Sequence, residues 1–498
     1  MAGPQFQPAR DHLSLGEAFF DPVEAADFPQ TRLRYADLDW ATRIGLGRLS
    51  DERWLAHFGR FEPFEGSLPQ PLALKYHGHQ FQHYNPDLGD GRGFLFAQMR
   101  EPGTGRLLDF GTKGSGQTPY SRFGDGRLTL KGGVREVLAT TRLEALGVNT
   151  SKTFALIETG ESLHRNDEPS PTRSSVMTRL SHGHVRIGSF QRPYFLQEPE
   201  HLRQLLRYAC QTYAPAIYDL AYGAEGGQGD AAAAPLFLRW VSANCAETVA
   251  DWFAAGFVHG VLNTDNINIT GESFDYGPYR FLPRLDPNFT AAYFDQSGLY
   301  AFGRQPEAVF WNLQQLAGTL VELTEQSALI AALQDYSRVL AQAVEDRLFR
   351  RLGLRASGDR DADQRFLQAF LGALKTSGLS FDETLHRAFG ARAWPQGDDW
   401  REVSAMAAGF AVDRPERLDH PYFRADRPTS LVIEEIEALW EPIAEKDDWS
   451  AFEQKLADTR TMAEAYGFSP IVADGGQKAL AAAEGQAEAT SAATHAQS

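Results

Sequence analysis

Asp265, Asn266 and Asp275 are the residues of this 498-residue chain whose types and spacing point most directly to chemistry. They lie in the stretch His259, Gly260, Val261, Leu262, Asn263, Thr264, Asp265, Asn266, Ile267, Asn268, Ile269, closed by Asp275, Tyr276 and Gly277. The pattern predicts a short strand pair with polar residues at its ends. Mg²⁺ takes few protein oxygens and completes its shell with water and phosphate. Two oxygen-donor side chains at the ends of neighbouring strands would therefore suit a Mg²⁺–triphosphate complex. The plainer alternative is that Asp265 and Asp275 only cap turns, as Asp often does.

In protein kinases the catalytic-loop Asn and the Asp of Asp-Phe-Gly hold the metal. Asn266 and Asp275 occupy those places here, with Tyr276 where Phe would stand. The kinase base precedes that Asn by five residues. Five before Asn266 is Val261, which cannot accept a proton. The loop's one carboxylate is Asp265, beside Asn266. The metal ligands are thus complete, while the usual route to a hydroxyl acceptor is altered.

A triphosphate also needs anchors. Leu88-Gly89-Asp90-Gly91-Arg92-Gly93 precedes the strand-like run Phe94–Ala97. Glycines there let backbone N–H groups approach phosphate, and Arg92 adds a charged donor. Asp-Gly also makes plain hairpins. A second strand-like run, Leu107–Thr112, ends in Lys113. From Lys131 to Gly147 the sequence predicts an amphipathic helix with Val134, Val137, Leu138 and Thr141 on one face. It carries Glu136, 23 residues after Lys113. A strand lysine held by a helix glutamate is the kinase arrangement. Between them runs a long, glycine-rich, basic loop, residues 114–127, of a kind that carries function more often than packing. Two more strands are expected at 153–157 and 176–180. Arg179 and Arg186 follow around a polar turn, placed either to clamp phosphates or to make surface ion pairs. His77, His79 and His83 have metal-ligand character, but a set of hydrogen-bonded histidines is the commoner outcome.

These elements need a large framework. Hydrophobic residues make up 43% of the chain, enough for a substantial core. The formal net charge of −17 argues against a nucleic-acid binder, which needs a basic face. Two cysteines, Cys210 and Cys245, are too few for a disulfide framework. No signal peptide and no membrane span are expected, and the default compartment is the cytoplasm. Residues 1–50 are expected to wrap the core's surface. Helices are expected over 199–220, 236–256, 306–345, 362–376 and 430–465, with a flexible insertion at 222–234. The expected fold is α+β and two-lobed like a protein kinase: a sheet-rich N-lobe with its extension over 1–195, a helical C-lobe over 196–470 holding the catalytic loop, and a disordered tail over 471–498.

Together, Gly89–Gly93, Phe110–Gly126, Gly132–Gly147, Arg179–Arg186, His259–Gly277 and the continuation through Asp286, Pro287, Phe294, Asp295, Arg304, Gln305, Pro306 and Trp311 resemble the selenoprotein O family, over roughly residues 75–320. These are kinase-fold proteins usually described as pseudokinases. The resemblance implies a protein adenylyltransferase that moves AMP from ATP onto Ser, Thr or Tyr hydroxyls, with the nucleotide bound in the reverse sense to a kinase. It implies Asp265 as proton acceptor and Asn266 and Asp275 as ligands of Mg²⁺ or Mn²⁺. It implies ATP contacts from Gly89, Gly91, Arg92, Lys113, Asp125, Gly126, Arg179, Arg186 and Asp275, with Glu136 orienting Lys113. ATP and protein hydroxyls are the expected partners; no nucleic acid and no membrane are. The chain departs from the family in lacking its C-terminal Cys or selenocysteine and its Asn-Pro and Leu-Arg-Asn segment. The rivals are an orthodox phosphotransferase and a non-catalytic nucleotide-binding scaffold.

Overall fold

The structure, a computed structural model, describes residues 4–166, 168–223 and 227–470. The expected tail at 471–498 and part of the expected insertion lie outside the described residues. One antiparallel sheet is built from β1 (Pro8–Ala9), β2 (Phe20–Pro22), β3 (Arg32–Ala36), β4 (Leu72–Leu74), β7 (Leu95–Arg100), β8 (Leu107–Lys113), β9 (Leu128–Thr129), β10 (Lys152–Leu163) and β11 (Thr172–Ser181). Its order is β2-β4-β7-β8-β11-β10-β3, with β1 on β7 and β9 on β11. A separate hairpin pairs β5 (Gly78–Gln80) with β6 (His83–Asn85). The four strands expected from apolar runs all form. Residues 1–50 do more than wrap the surface: they supply three strands, and Phe19 and Phe20 are buried in the core.

Helix α3 (Leu130–Ala145), introduced here with α1 (Leu38–Arg43) and α2 (Asp51–Gly59), crosses the sheet. Thr129 starts it by accepting a hydrogen bond from Gly132 N at 3.1 Å. Leu130, Val134, Val137, Leu138 and Leu143 are buried, each burial stabilising by about 2 kcal/mol. Gly133 lets the helix approach: a Cβ there would fall 2.3 Å from Leu156 Cδ1 on β10. Gly147, at φ +80, takes the chain away from the helix end.

After the sheet the chain is mainly helical: α4 (Ile187–Phe195), α5 (Pro199–Tyr213), α6 (Pro215–Tyr222), α7 (Asp230–Ala255), α8 (Gln305–Thr319), α9 (Gln326–Gln334), α10 (Tyr336–Leu352), α11 (Arg360–Ser377), α12 (Phe381–Ala388), α13 (Asp398–Ala407), α14 (Ile433–Lys446) and α15 (Ser450–Tyr466). The fold is the expected α+β arrangement. The helix expected over 199–220 breaks before Pro215, and that over 306–345 divides into three. The insertion is shorter than expected, because α7 already begins at Asp230. None of the helices among the described residues is long and apolar enough to cross a membrane.

Helices α14 and α15 return to the sheet. Asp447, between them, pairs with Arg34 on β3 at 2.8 Å and with Arg173 on β11 at 2.7 Å. Lys131 of α3 meets Glu437 of α14 at 2.7 Å, and the buried Arg142 of α3 meets Asp382 of α12 at 2.6 Å. Glu136 is therefore carried by a helix held on the sheet from one side and by the C-terminal helices from the other.

Candidate active site

Helix α7 ends at Gly256 (φ +62) and delivers the chain to β12 (Phe257–Val258), which pairs with β13 (Arg280–Phe281). Everything expected to hold the metal lies in the loop between these strands. The expected strand pair within 259–277 does not form. Ile267 and Ile269 are extended but bond instead to the segment before α4, Ile187 N to Ile267 O at 3.0 Å and Ile269 N to Val185 O at 3.1 Å. Two features prevent a local hairpin: residues 264–266 coil into a 3-10 turn, and Asp275 adopts φ +65.

Long-range bonds fix the loop. His259 is buried, and its Nε2 lies 3.0 Å from the Phe274 carbonyl, just before Asp275. Burial lowers its pKa, so the ring is neutral and donates to that carbonyl. Asn312 Nδ2 donates to Leu262 O at 2.8 Å. Tyr276, standing where Phe was expected, is buried and donates its hydroxyl to Ser273 Oγ at 2.7 Å, which accounts for Tyr at that place.

The charged centre is an ion-pair cluster. Lys113 Nζ donates to Glu136 Oε1 and, at 2.8 Å, to Asp275 Oδ1. Arg179 Nη2 lies 3.4 Å from Asp275 Oδ1 and 3.5 Å from Glu136 Oε2. Two cations and two carboxylates thus balance. Burial opposes ionisation of Asp275, but Lys113, Arg179 and Arg92 hold its carboxyl well below the usual carboxylate range. Arg186 pairs with Asp90 at 3.2 Å, and its guanidinium stacks 4.2 Å from the Tyr76 ring centroid. Arg179 and Arg186 are buried, so the surface-ion-pair alternative does not describe them.

Beside this cluster opens a cleft of about 620 Å³, lined in part by Gly89, Gly91, Arg92, Asp125, Gly126 and Asp265. The glycines of the 89–93 turn have a packing reason. A Cβ at Gly89 would fall 2.3 Å from the Tyr120 ring, and one at Gly91 2.8 Å from Tyr120 O. The 114–127 loop therefore folds directly onto that turn. Gly126, at φ +70, lies against Gly116, where a Cβ would meet backbone at 2.2 Å. Asp125 belongs to the cleft wall, but its carboxylate is engaged with Arg165 at 2.8 Å and caps Arg127 N at 3.0 Å, away from the Lys113 cluster.

Asp265 Oδ1 is buried and has no hydrogen-bond partner among the described residues. Burial, helped by the charge of Asp275, pushes its pKa up to about 6 against the pull of Arg186 and Arg122. Asn266 donates Nδ2 to Val261 O at 3.0 Å, which commits its N–H₂ and leaves the amide oxygen as its acceptor. Asn266 and Asp275 offer oxygens only, the donor chemistry that a hard divalent cation takes. Among the described residues no group of three His, Cys, Asp or Glu is assembled for a metal. Two of the three histidines are hydrogen-bonded instead, His77 Nδ1 to Tyr84 Oη and His79 Nδ1 to Gln191 Nε2, each at 2.8 Å.

That histidine hairpin has a role that the sequence does not advertise. Thr264, next to Asp265, accepts from His79 N at 2.7 Å and donates to Gln191 Oε1 at 2.6 Å. Asn263 Oδ1 accepts from Phe81 N at 3.1 Å and from Tyr300 Oη at 2.8 Å. Tyr76, Arg122, Gln191 and Thr264 are the site residues that motif reading misses. Tyr76 lies in the histidine-rich run, Arg122 in the basic 114–127 loop and Thr264 beside Asp265, while Gln191 carries no local signal. Cys210 and Cys245 are both buried free thiols.

The chain matches the protein family described as Protein adenylyltransferase SelO over residues 4–460. It is 43% identical to a protein nucleotidyltransferase YdiU from Synechocystis sp., over 90% of this chain and 96% of the relative. Proteins of the same name from Trichodesmium erythraeum and Gloeobacter violaceus are each 41% identical, over 88% and 90% of this chain and 95% and 93% of theirs. Matched over most of its length by this family and by these relatives, the chain belongs to the SelO family of protein adenylyltransferases.

Proposed function

We propose that the protein transfers AMP from ATP to Ser, Thr or Tyr hydroxyls of proteins and releases pyrophosphate. The observation that carries this reading is Asp265: a buried carboxylate with an unpartnered oxygen, in a cleft that also exposes the phosphate-anchoring side. Lys113, Arg179, Arg186 and Arg92 neutralise the triphosphate, while Glu136 keeps Lys113 in place. Asp265 removes the acceptor's proton as its oxygen attacks the α-phosphorus, and the bond to the pyrophosphate bridging oxygen breaks. Asn266 and Asp275 would hold Mg²⁺ or Mn²⁺, which supplies charge neutralisation at the phosphate oxygens when bound. Val261, at the kinase base position, supports a reaction other than γ-phosphoryl transfer. In this reading the enzyme works in the cytoplasm, in keeping with its two free buried thiols.

Intact-mass analysis after incubation with ATP and Mg²⁺ tests it. An AMP adduct, with protein labelled from α-labelled but not γ-labelled ATP, is expected. A phosphate adduct would establish the phosphotransferase instead, and no adduct with either metal would leave the scaffold.

A further inference from the structure

We propose that Arg122 is a nucleotide ligand that works beside Arg92: the two guanidiniums hold the α-phosphate of ATP in the cleft, and Arg122 tightens its hold as charge builds on the α-phosphoryl oxygens. The inference deepens the adenylyl-transfer reading and rests on it for the reaction, though not for the binding.

One hydrogen bond brings the two arginines together. Ser121 Oγ donates to Gly91 O, so Arg92 and Arg122 each directly follow a residue of that bond. Thr118 Oγ1 donates to the neighbouring Asp90 O at 2.5 Å. Within the loop Thr118 N donates to Ser121 Oγ and Gln117 Nε2 to Gly124 O, each at 2.8 Å. Both arginines are exposed, and both line the cleft that contains Asp265. The charge of Arg122 acts on Asp265 and that of Arg92 on Asp275. The pair therefore spans the space between the base and the metal-type carboxylate, which is where the α-phosphorus must lie for attack.

Charge identifies the occupant. The other two arginines of the cleft wall are engaged, Arg127 with Glu161 and Arg165 with Asp125, each at 2.8 Å. Arg92 and Arg122 make no hydrogen bond or ion pair through their side chains among the described residues. The buried cations Lys113, Arg179 and Arg186 are matched by Glu136, Asp275 and Asp90. The magnesium complex of ATP keeps about two net negative charges, and Arg92 and Arg122 are the cations left to meet them.

The backbone carries a separate sign. Arg122 sits at φ +54, a conformation that residues with a Cβ rarely adopt and that glycine takes freely. Strain of this kind gathers at ligand clamps, where the surroundings enforce it. In the reaction the acceptor oxygen bonds to the α-phosphorus, the bond to the bridging oxygen breaks, pyrophosphate leaves with the electron pair and Asp265 takes the proton. Arg122 only donates charge-assisted hydrogen bonds to the α-phosphoryl oxygens.

The test compares wild type with Arg122→Ala and Arg122→Gly. Calorimetry with ATP and with AMP, whose one phosphate is the α-phosphate, should show both ligands binding roughly ten- to hundredfold more weakly to either variant. Arg122→Gly should melt at or above wild type, because the backbone strain is relieved. Its kcat should fall by more than its ATP affinity, and added guanidinium should restore kcat at least several-fold while leaving wild type unaffected. Unchanged affinity for both ligands would overturn the proposal, even if the variants raised KM for a protein acceptor, since Arg122 would then serve that acceptor. Weaker ATP with unchanged AMP would overturn the α-phosphate assignment. A kcat that guanidinium cannot restore would overturn the part played in the reaction. The two titrations need no AMP transfer, so their failure is separable from failure of the adenylyl-transfer reading.

Discussion

Removing the charge of Lys113 should have opposite consequences for stability and for binding, depending on what accompanies it. Lys113 and Arg179 balance Glu136 and Asp275 in a cluster where Lys113 and Glu136 are almost wholly buried. Lys113→Met leaves two carboxylates with one guanidinium. An uncompensated buried charge costs about 3–5 kcal/mol, so the unfolding midpoint should fall clearly. Lys113→Met/Glu136→Gln removes one charge of each sign and leaves the Arg179–Asp275 pair. A coupling of about 1–3 kcal/mol should then appear, with the double variant more stable than Lys113→Met alone. ATP binding should not recover. A lost charge-assisted bond to phosphate is worth about 1.5–3 kcal/mol, or roughly a ten- to hundredfold weaker Kd in both variants. Denaturant melts and calorimetric ATP titrations of the four proteins of the cycle read both quantities. Additive stability losses within about 0.5 kcal/mol would refute the balanced-cluster reasoning. A double variant that binds ATP like wild type would refute the phosphate role of Lys113.

Other outcomes follow from the same geometry. As a base Asp265 works only ionised, so with its pKa near 6 kcat/KM should fall about tenfold per pH unit below that value; a flat profile from pH 5 to 8 would remove it from the reaction. Because burial raises that pKa, the folded state holds the proton more tightly than the unfolded chain, so stability falls as pH rises from 3.8 to about 6 and stays at the lower level above. Asp265→Asn should therefore melt higher than wild type at pH 7 while losing transfer, and a lower melting point would contradict the burial argument. Thr264→Ala and Gln191→Ala should lower kcat at least several-fold with little change in ATP affinity, and Thr264→Ser should retain most activity, since it keeps the hydroxyl that bridges His79 and Gln191. Chelation should abolish transfer and Asp275→Asn should raise the divalent-ion requirement by an order of magnitude or more; an unchanged metal titration would show the ligand to be elsewhere.

Much of this was written locally in the chain. Leu107–Lys113 reads as an apolar strand run and Lys131–Gly147 carries its helix period in neighbouring residues, and the kinase arrangement set Lys113 against Glu136 across them. Asp275 could be paired with Lys113 only by motif, since 162 residues separate them. The 267–269 alternation marked an extended segment correctly, but its partner is residues 185–187 and not its own neighbour, because alternation states which face is buried and not what lies beside it. The clamp on Thr264 was invisible for the same reason: His79 and Gln191 come from 185 and 73 residues away. The first 50 residues looked peripheral because β1, β2 and β3 are two to five residues long, too short to show a period.

The grip of α14 and α15 on the sheet bears on how the enzyme is made. A ribosome releases β8 and α3 well before Asp447, Glu437 and the surface of α15 that complete their packing. The nascent chain therefore carries Lys113 and Glu136 well before the α14–α15 brace that packs on α3. The sheet and α3 reach their full packing only once α14 and α15 close over them.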